Sequence, residues 1–133
     1  PAPTLTRNRP AFTRALRHGV FALVKACSQE NPAAILALID PSDAHGHPWT
    51  RERLEELLDG YFTHHARIRL DPEARATKHT RISETTPRRW TCEQTLVDPD
   101  NENDWSLKLT IDLDRCDTEG RPVFVLDELA EIG

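Results

Sequence analysis

From Trp105 onward the apolar residues fall on every second position: Trp105, Leu107, Leu109, Ile111 and Leu113. Ser106, Lys108, Thr110 and Asp112 stand between them. This is the period of a β-strand with one buried face and one solvated face. The N-terminal third follows a different period. At about 100° per residue, Phe12, Ala15, Leu16, Gly19, Val20, Leu23, Val24 and Cys27 share one side of a helix, which Pro10 is suited to open. Gly19 inside that stripe predicts a close approach to another element. Asn31 before Pro32 reads as the N-cap of a short second helix, and Thr50 as the cap of a third. Trp49 is placed to pack on Leu54, and Leu54, Leu57, Leu58 and Tyr61 line one side.

After His65 the period becomes two. Ala66, Ile68 and Leu70 alternate with Arg67 and Arg69, and further strands are predicted at 79–84, 88–97 and 123–129. Thr85–Arg88, the segment DPDNEND (98–104) and the segment RCDTEGRP (115–122) read as the turns that reverse the chain. Helices first and strands afterwards indicate an α+β fold rather than an alternating one. The simplest arrangement packs the N-terminal helices on a curved antiparallel sheet of four to five strands. That is the cone-shaped plan shared by nuclear transport factor and ketosteroid isomerase. Residues 1–9 read as a flexible lead-in and residues 10–133 as a single α+β domain.

A chain of 133 residues is one domain's worth. No apolar run approaches the ~18 residues of a membrane span, and the N-terminus lacks the apolar core of a signal peptide, so a cytoplasmic protein is expected. The absence of methionine fits either a processed gene product or a domain of a longer chain. Cys27, Cys92 and Cys116 are odd in number and far apart, which favours buried thiols over a disulfide or metal site. The net charge of −5 argues against a dedicated nucleic-acid binder, although local basic clusters remain.

Catalytic chemistry finds little support. Enzymes of the cone plan place a carboxylate base on the inner face of the sheet. Here the inner positions are Trp105, Leu107, Leu109, Ile111 and Leu113 on one strand, and Trp90, Cys92, Gln94 and Leu96 on its neighbour. Asp112 and Asp114 fall on the other face. No nucleotide-binding glycine motif is present, so neither an enzyme nor a cofactor is expected. Asp43–His47 (DAHGH) and the pair His64-His65 offer ligand types for a metal. Adjacent helical histidines diverge by about 100°, however, and no metal site is expected. His65 reads as a hydrogen-bonded residue at the edge of the core.

One surface stands out. Arg14, Arg17, His18 and Lys25 gather opposite the apolar stripe of the first helix, with Phe21 among them. An aromatic ring in a basic face can stack on a base or fill a partner's pocket. An ordinary solvated face with one stray Phe, or a Phe21 covered by the second helix, is the competing reading. Arg88-Arg89-Trp90 reads as a strand start with Trp90 facing the core.

The segments RALRHGVFALVKA, WTRERLEELLDGYF, RIRLDPEAR and RRWTCEQTLVDPDNENDWSLKLTIDLD resemble the extreme C-terminus of a bacterial helicase group. Its members are DEAD/DEAH-box, superfamily-2 proteins with a long C-terminal region of unknown function. The likeness runs from about Ala11 to Phe124. It is most specific at Trp90, Gln94, Leu96, Asp98, Pro99, Asp104 and Trp105, read as W-x-x-x-Q-x-L-x-D-P followed by D-W. The resemblance implies a non-enzymatic accessory or docking module of such a helicase. Its partner would be the helicase core, in cis or in trans, with weak nucleic-acid contact and no membrane. Two alternatives are a stand-alone domain that binds or turns over a small apolar ligand, and a homodimerisation module pairing through convex sheet faces. A cavity over Leu107, Leu109 and Ile111 would favour the ligand.

Overall fold

The computed structural model describes residues 4–133. The first helix, α1 (Arg9–Ser28), starts where Asn8 accepts a hydrogen bond from the Ala11 N–H, with Pro10 in its first turn. Helix α2 (Pro32–Leu38) and helix α3 (Arg51–His64) begin in the same way. Asn31 accepts from the Ala34 N–H, and Thr50 from the Arg53 N–H, each at 3.1 Å. Each cap satisfies a donor that the first helical turn leaves without a partner. The caps of α2 and α3 and the place of Pro10 in α1 are those the sequence predicts, whereas Asn8 falls in the expected lead-in.

Four strands follow: β1 (Thr80–Thr86), β2 (Arg89–Leu96), β3 (Trp105–Asp112) and β4 (Val125–Glu131). They form one antiparallel sheet in the order β1-β2-β3-β4. Trp90 pairs with Ile111, Cys92 with Leu109, Gln94 with Leu107 and Leu96 with Trp105. Because side chains alternate along a strand, this register gathers all eight on the inner face. A single hydrophobic core then runs from Phe12 of α1 to Leu129 of β4. Trp90 packs edge-on against Phe12, with ring centres 5.5 Å apart. Trp105 meets Tyr61 of α3 at 5.7 Å. The strand at 105–112 is thus buried as expected, but Trp105 at its start is covered by α3 rather than by the first helix.

Two expectations need correction. Residues 66–70 form no strand: the Arg69 N–H donates to the Val97 carbonyl at 2.8 Å, and no ladder develops beyond it. The sheet therefore has four strands, the lower of the two numbers expected. The segment expected as a turn at 115–122 begins inside a helix, α4 (Leu113–Glu119), which also takes Leu113 out of the strand. Asp112 caps α4 by accepting from the N–H groups of Asp114 and Arg115, and Gly120 ends it in the left-handed conformation at φ 69°. Part of the expected lead-in is described, and it contacts α4 through Thr6. Residues 1–3 lie outside the described residues, whereas Leu5–Arg7 make a 3-10 turn. The Thr6 N–H and hydroxyl both donate to the Asp117 carboxylate, at 2.9 and 2.7 Å. Arg88 closes this junction on Asp117 and Asp114.

Among the described residues no helix is long and apolar enough to cross a membrane.

Candidate functional site

Arg17, His18, Phe21 and Lys25 project from α1 at helical spacing and line one cavity of about 580 Å³. The opposite walls are Arg75 and Thr77, which precede β1, with Thr80 of β1 and Gln94 of β2. Sequence reasoning thus found one wall and missed the other. Arg14 is exposed a turn earlier and does not line the cavity. Arg75 and Thr77 lie in the stretch RATKHT, whose only signal was its mixture of cations and hydroxyls.

Phe21 is half-buried and packs against the core. Its outward side carries the Arg75 guanidinium, 4.5 Å from the ring centre. This cation–π contact holds a cation at the cavity wall. Gln94 is 5% exposed. Its carbonyl oxygen accepts from the Thr80 hydroxyl, and its amide nitrogen donates to the Thr95 carbonyl at 3.1 Å.

Charge separates this site from the rest of the surface. Arg9, Arg51, Arg53, Arg69, Arg88 and Arg115 all pair with carboxylates. Arg17, Lys25 and Arg75 make no ion pair among the described residues, and no carboxylate stands among the cavity's lining residues. Arg7, Arg14, Arg67 and Arg89 also make no ion pair among the described residues, so the distinguishing feature is that three such cations converge on one cavity. The Arg88-Arg89-Trp90 cluster divides as expected. Arg88 is held by Asp114 and Asp117, and Trp90 is buried.

The motif residues have structural work. Asp98 is fully buried and folds the β2–β3 connection: its carboxylate accepts from the N–H groups of Asp100, Glu102 and Asn103 at 2.7–3.1 Å. Burial raises its pKa, but those donors and nearby His65 outweigh it, holding the carboxyl below the usual range. A carboxylate so satisfied is a poor general base. Asp104, expected to bond within the turn, instead accepts from the His65 Nε2–H at 2.8 Å. Trp90 and Trp105 are core residues.

The histidines are spent locally. Asp43 closes the DAHGH loop by accepting from the N–H groups of His45 and His47, and it binds Arg53 at 2.8 Å. His45 and His47 are exposed, as is His64. His65 is buried, with its Nδ1 3.7 Å from Asp98. His65, Glu102 and Asp104 do bring one ligand atom each within 4.8 Å of one another. This grouping was not anticipated, because it joins the end of α3 to the β2–β3 loop. The hydrogen bond between His65 and Asp104 already accounts for its closest pair.

No curated protein and no solved structure matches this chain. A family model does, across residues 1–129, under the description "Domain of unknown function (DUF3516)". The chain belongs to that family.

Proposed function

We propose that this chain is a non-enzymatic accessory module that takes a single nucleic-acid strand on the outer face of α1. The observation that carries this reading is the convergence of Arg17, Lys25 and Arg75, unpaired among the described residues, on one cavity of a chain with net charge −5. Arg14 and His18 extend the basic face along the helix. The resemblance of the Trp90–Trp105 motif to the C-terminal region of DEAD/DEAH-box helicases names the motor it would serve. Its acidic remainder keeps intrinsic affinity weak. Tethering to a motor compensates, because a short linker raises the effective concentration to about the millimolar range.

The cone plan of nuclear transport factor and ketosteroid isomerase is our reading of the architecture, supported by the long α1 and the four-stranded antiparallel meander. Within that plan the inner polar residue is Gln94, an amide and not a base, which supports binding over turnover. A small apolar ligand is less well supported. Leu107, Leu109 and Ile111 are at most 1% exposed, and the 580 Å³ cavity has cationic walls. Pairing through the outer sheet face is also less well supported, since Arg81–Glu93 and Lys108–Glu128 pairs occupy it and leave no apolar centre.

Fluorescence anisotropy with labelled single-stranded RNA and DNA 12-mers tests this reading. Binding is expected at low salt, with a slope of about −2 in log affinity against log salt if three phosphates are neutralised. The Arg17→Glu, Lys25→Glu double variant should lose at least tenfold while its circular dichroism stays unchanged. Equal binding by the folded variant would refute it. So would capture of wild type and variant alike by an immobilised helicase core without any strand affinity, which would make the module a protein-docking one.

A further inference from the structure

The cavity has three walls, which suits an end or a single unit better than the middle of a polymer. Helix α1 supplies Arg17, Phe21 and Lys25, the segment before β1 supplies Arg75 and Thr77, and the sheet supplies Thr80 and Gln94. Its volume of about 580 Å³ lies within the ~300–1,000 Å³ of small-molecule sites. Two features go beyond a generic basic patch. The Arg75 guanidinium carbon lies over the Phe21 ring at 4.5 Å, and guanidinium planes are among the groups on which bases stack. The Gln94 amide is fixed through Thr80 and Thr95, and this uses only one of its two N–H donors.

We propose that this cavity is a receptor for the terminal phosphomonoester of a nucleotide, either at the end of a strand or in a free nucleoside monophosphate. The proposal rests on the reading of the α1 face as a nucleic-acid surface and specifies what the face recognises. A phosphomonoester carries about −1.5 to −2 at neutral pH. An internal phosphodiester carries one negative charge and a chain on both sides. Three cations with no carboxylate among the lining residues match the monoester in charge, and the walls leave room for one base. Arg17, Lys25 and Arg75 hold the phosphate, with the Thr77 hydroxyl as a further donor. The base lies on the Arg75–Phe21 platform, and the spare amide hydrogen of Gln94 reaches the sugar or base edge.

The test uses an RNA 8-mer with a 5′-phosphate, a 3′-phosphate or neither, together with adenosine monophosphate, adenosine and inorganic phosphate. A terminal phosphate should tighten the 8-mer at least tenfold. Arg75→Ala should remove that increment while leaving most of the affinity for the unphosphorylated strand, and Lys25→Ala should act in the same direction. Arg75 and Lys25 are both exposed, so neither change threatens the core. Adenosine monophosphate should compete and adenosine should not. Equal binding of phosphorylated and unphosphorylated strands, still abolished by Arg17→Glu with Lys25→Glu, would overturn this proposal and leave the strand-binding reading intact. Binding of the monophosphate alone, lost in Arg75→Ala, would uphold the receptor and overturn the strand reading. Inorganic phosphate competing as well as the monophosphate would reduce the cavity to an anion site and refute nucleotide recognition. No binding by any probe would refute both.

Discussion

Asp98 accepts three backbone hydrogen bonds from the loop that follows it. Asp98→Ala leaves those N–H groups without their acceptor and should cost about 2–4 kcal/mol, at roughly 1 kcal/mol or more per lost bond. Urea unfolding measures it, and a loss below about 0.5 kcal/mol would mean that the loop re-forms without the carboxylate. Asp43 makes a pH-dependent contribution. Its pKa is lowered to about 2, chiefly by its hydrogen bond with Arg53, against burial and with help from the N–H groups of His47 and His45. A lowered folded pKa stabilises above the unfolded value of about 3.9 and fades as pH falls toward about 2. The stability gap between wild type and Asp43→Asn should therefore narrow between pH 5 and pH 2.5, and a constant gap would contradict the ion-pair assignment. The thiols should be inert. Burial pushes Cys27 up to about 12 and Cys92 up to about 11, and raises Cys116 as well. A disulfide reagent at pH 8 should modify none of the three quickly until denaturant is added. Rapid native labelling would show that the fold opens locally.

Among the elements, α1 comes close to the ring of Phe124 at Gly19. A Cβ there would lie 2.6 Å from Phe124 Cε2 and 2.8 Å from Cζ. Alanine would gain about 1 kcal/mol of helix propensity, but overpacking against a buried ring costs about 1–3 kcal/mol. The clash should win by up to about 2 kcal/mol, whereas a more stable Gly19→Ala protein would show that Phe124 yields. Leu109→Ala in β3 should cost about 2–5 kcal/mol, because Leu109 is 1% exposed and paired between Cys92 and Leu126. The helix caps were legible because Asn31 and Thr50 announce them locally, and β3 was legible because its alternation is unbroken. Helix α4 was not. Leu113 continues the parity of β3, so alternation reads straight through a boundary set by the Asp112 cap. Residues 66–70 failed in the opposite sense: they alternate, but their one backbone–backbone bond to the sheet region is from Arg69 to Val97. Pattern reports which side of a segment is apolar, while a strand also needs a neighbour.

Across the whole molecule, charge is arranged unevenly. The outer sheet face and the α4 junction are self-paired, and the cavity between α1, β1 and β2 is cationic. Half of that cavity was visible as a basic helix face. Its other half comes from the approach to β1 and from Gln94, which no helical wheel could bring near Lys25. The proposed strand site depends on this juxtaposition. Amide chemical-shift mapping tests it most directly, by titrating a labelled chain with a 5′-phosphorylated RNA 8-mer. Perturbations are predicted at Arg17–Lys25, Arg75–Thr80 and Gln94, shrinking as salt is raised. Shifts centred instead on Lys108 and Glu128 of the outer face, or no shifts at low salt, would contradict it.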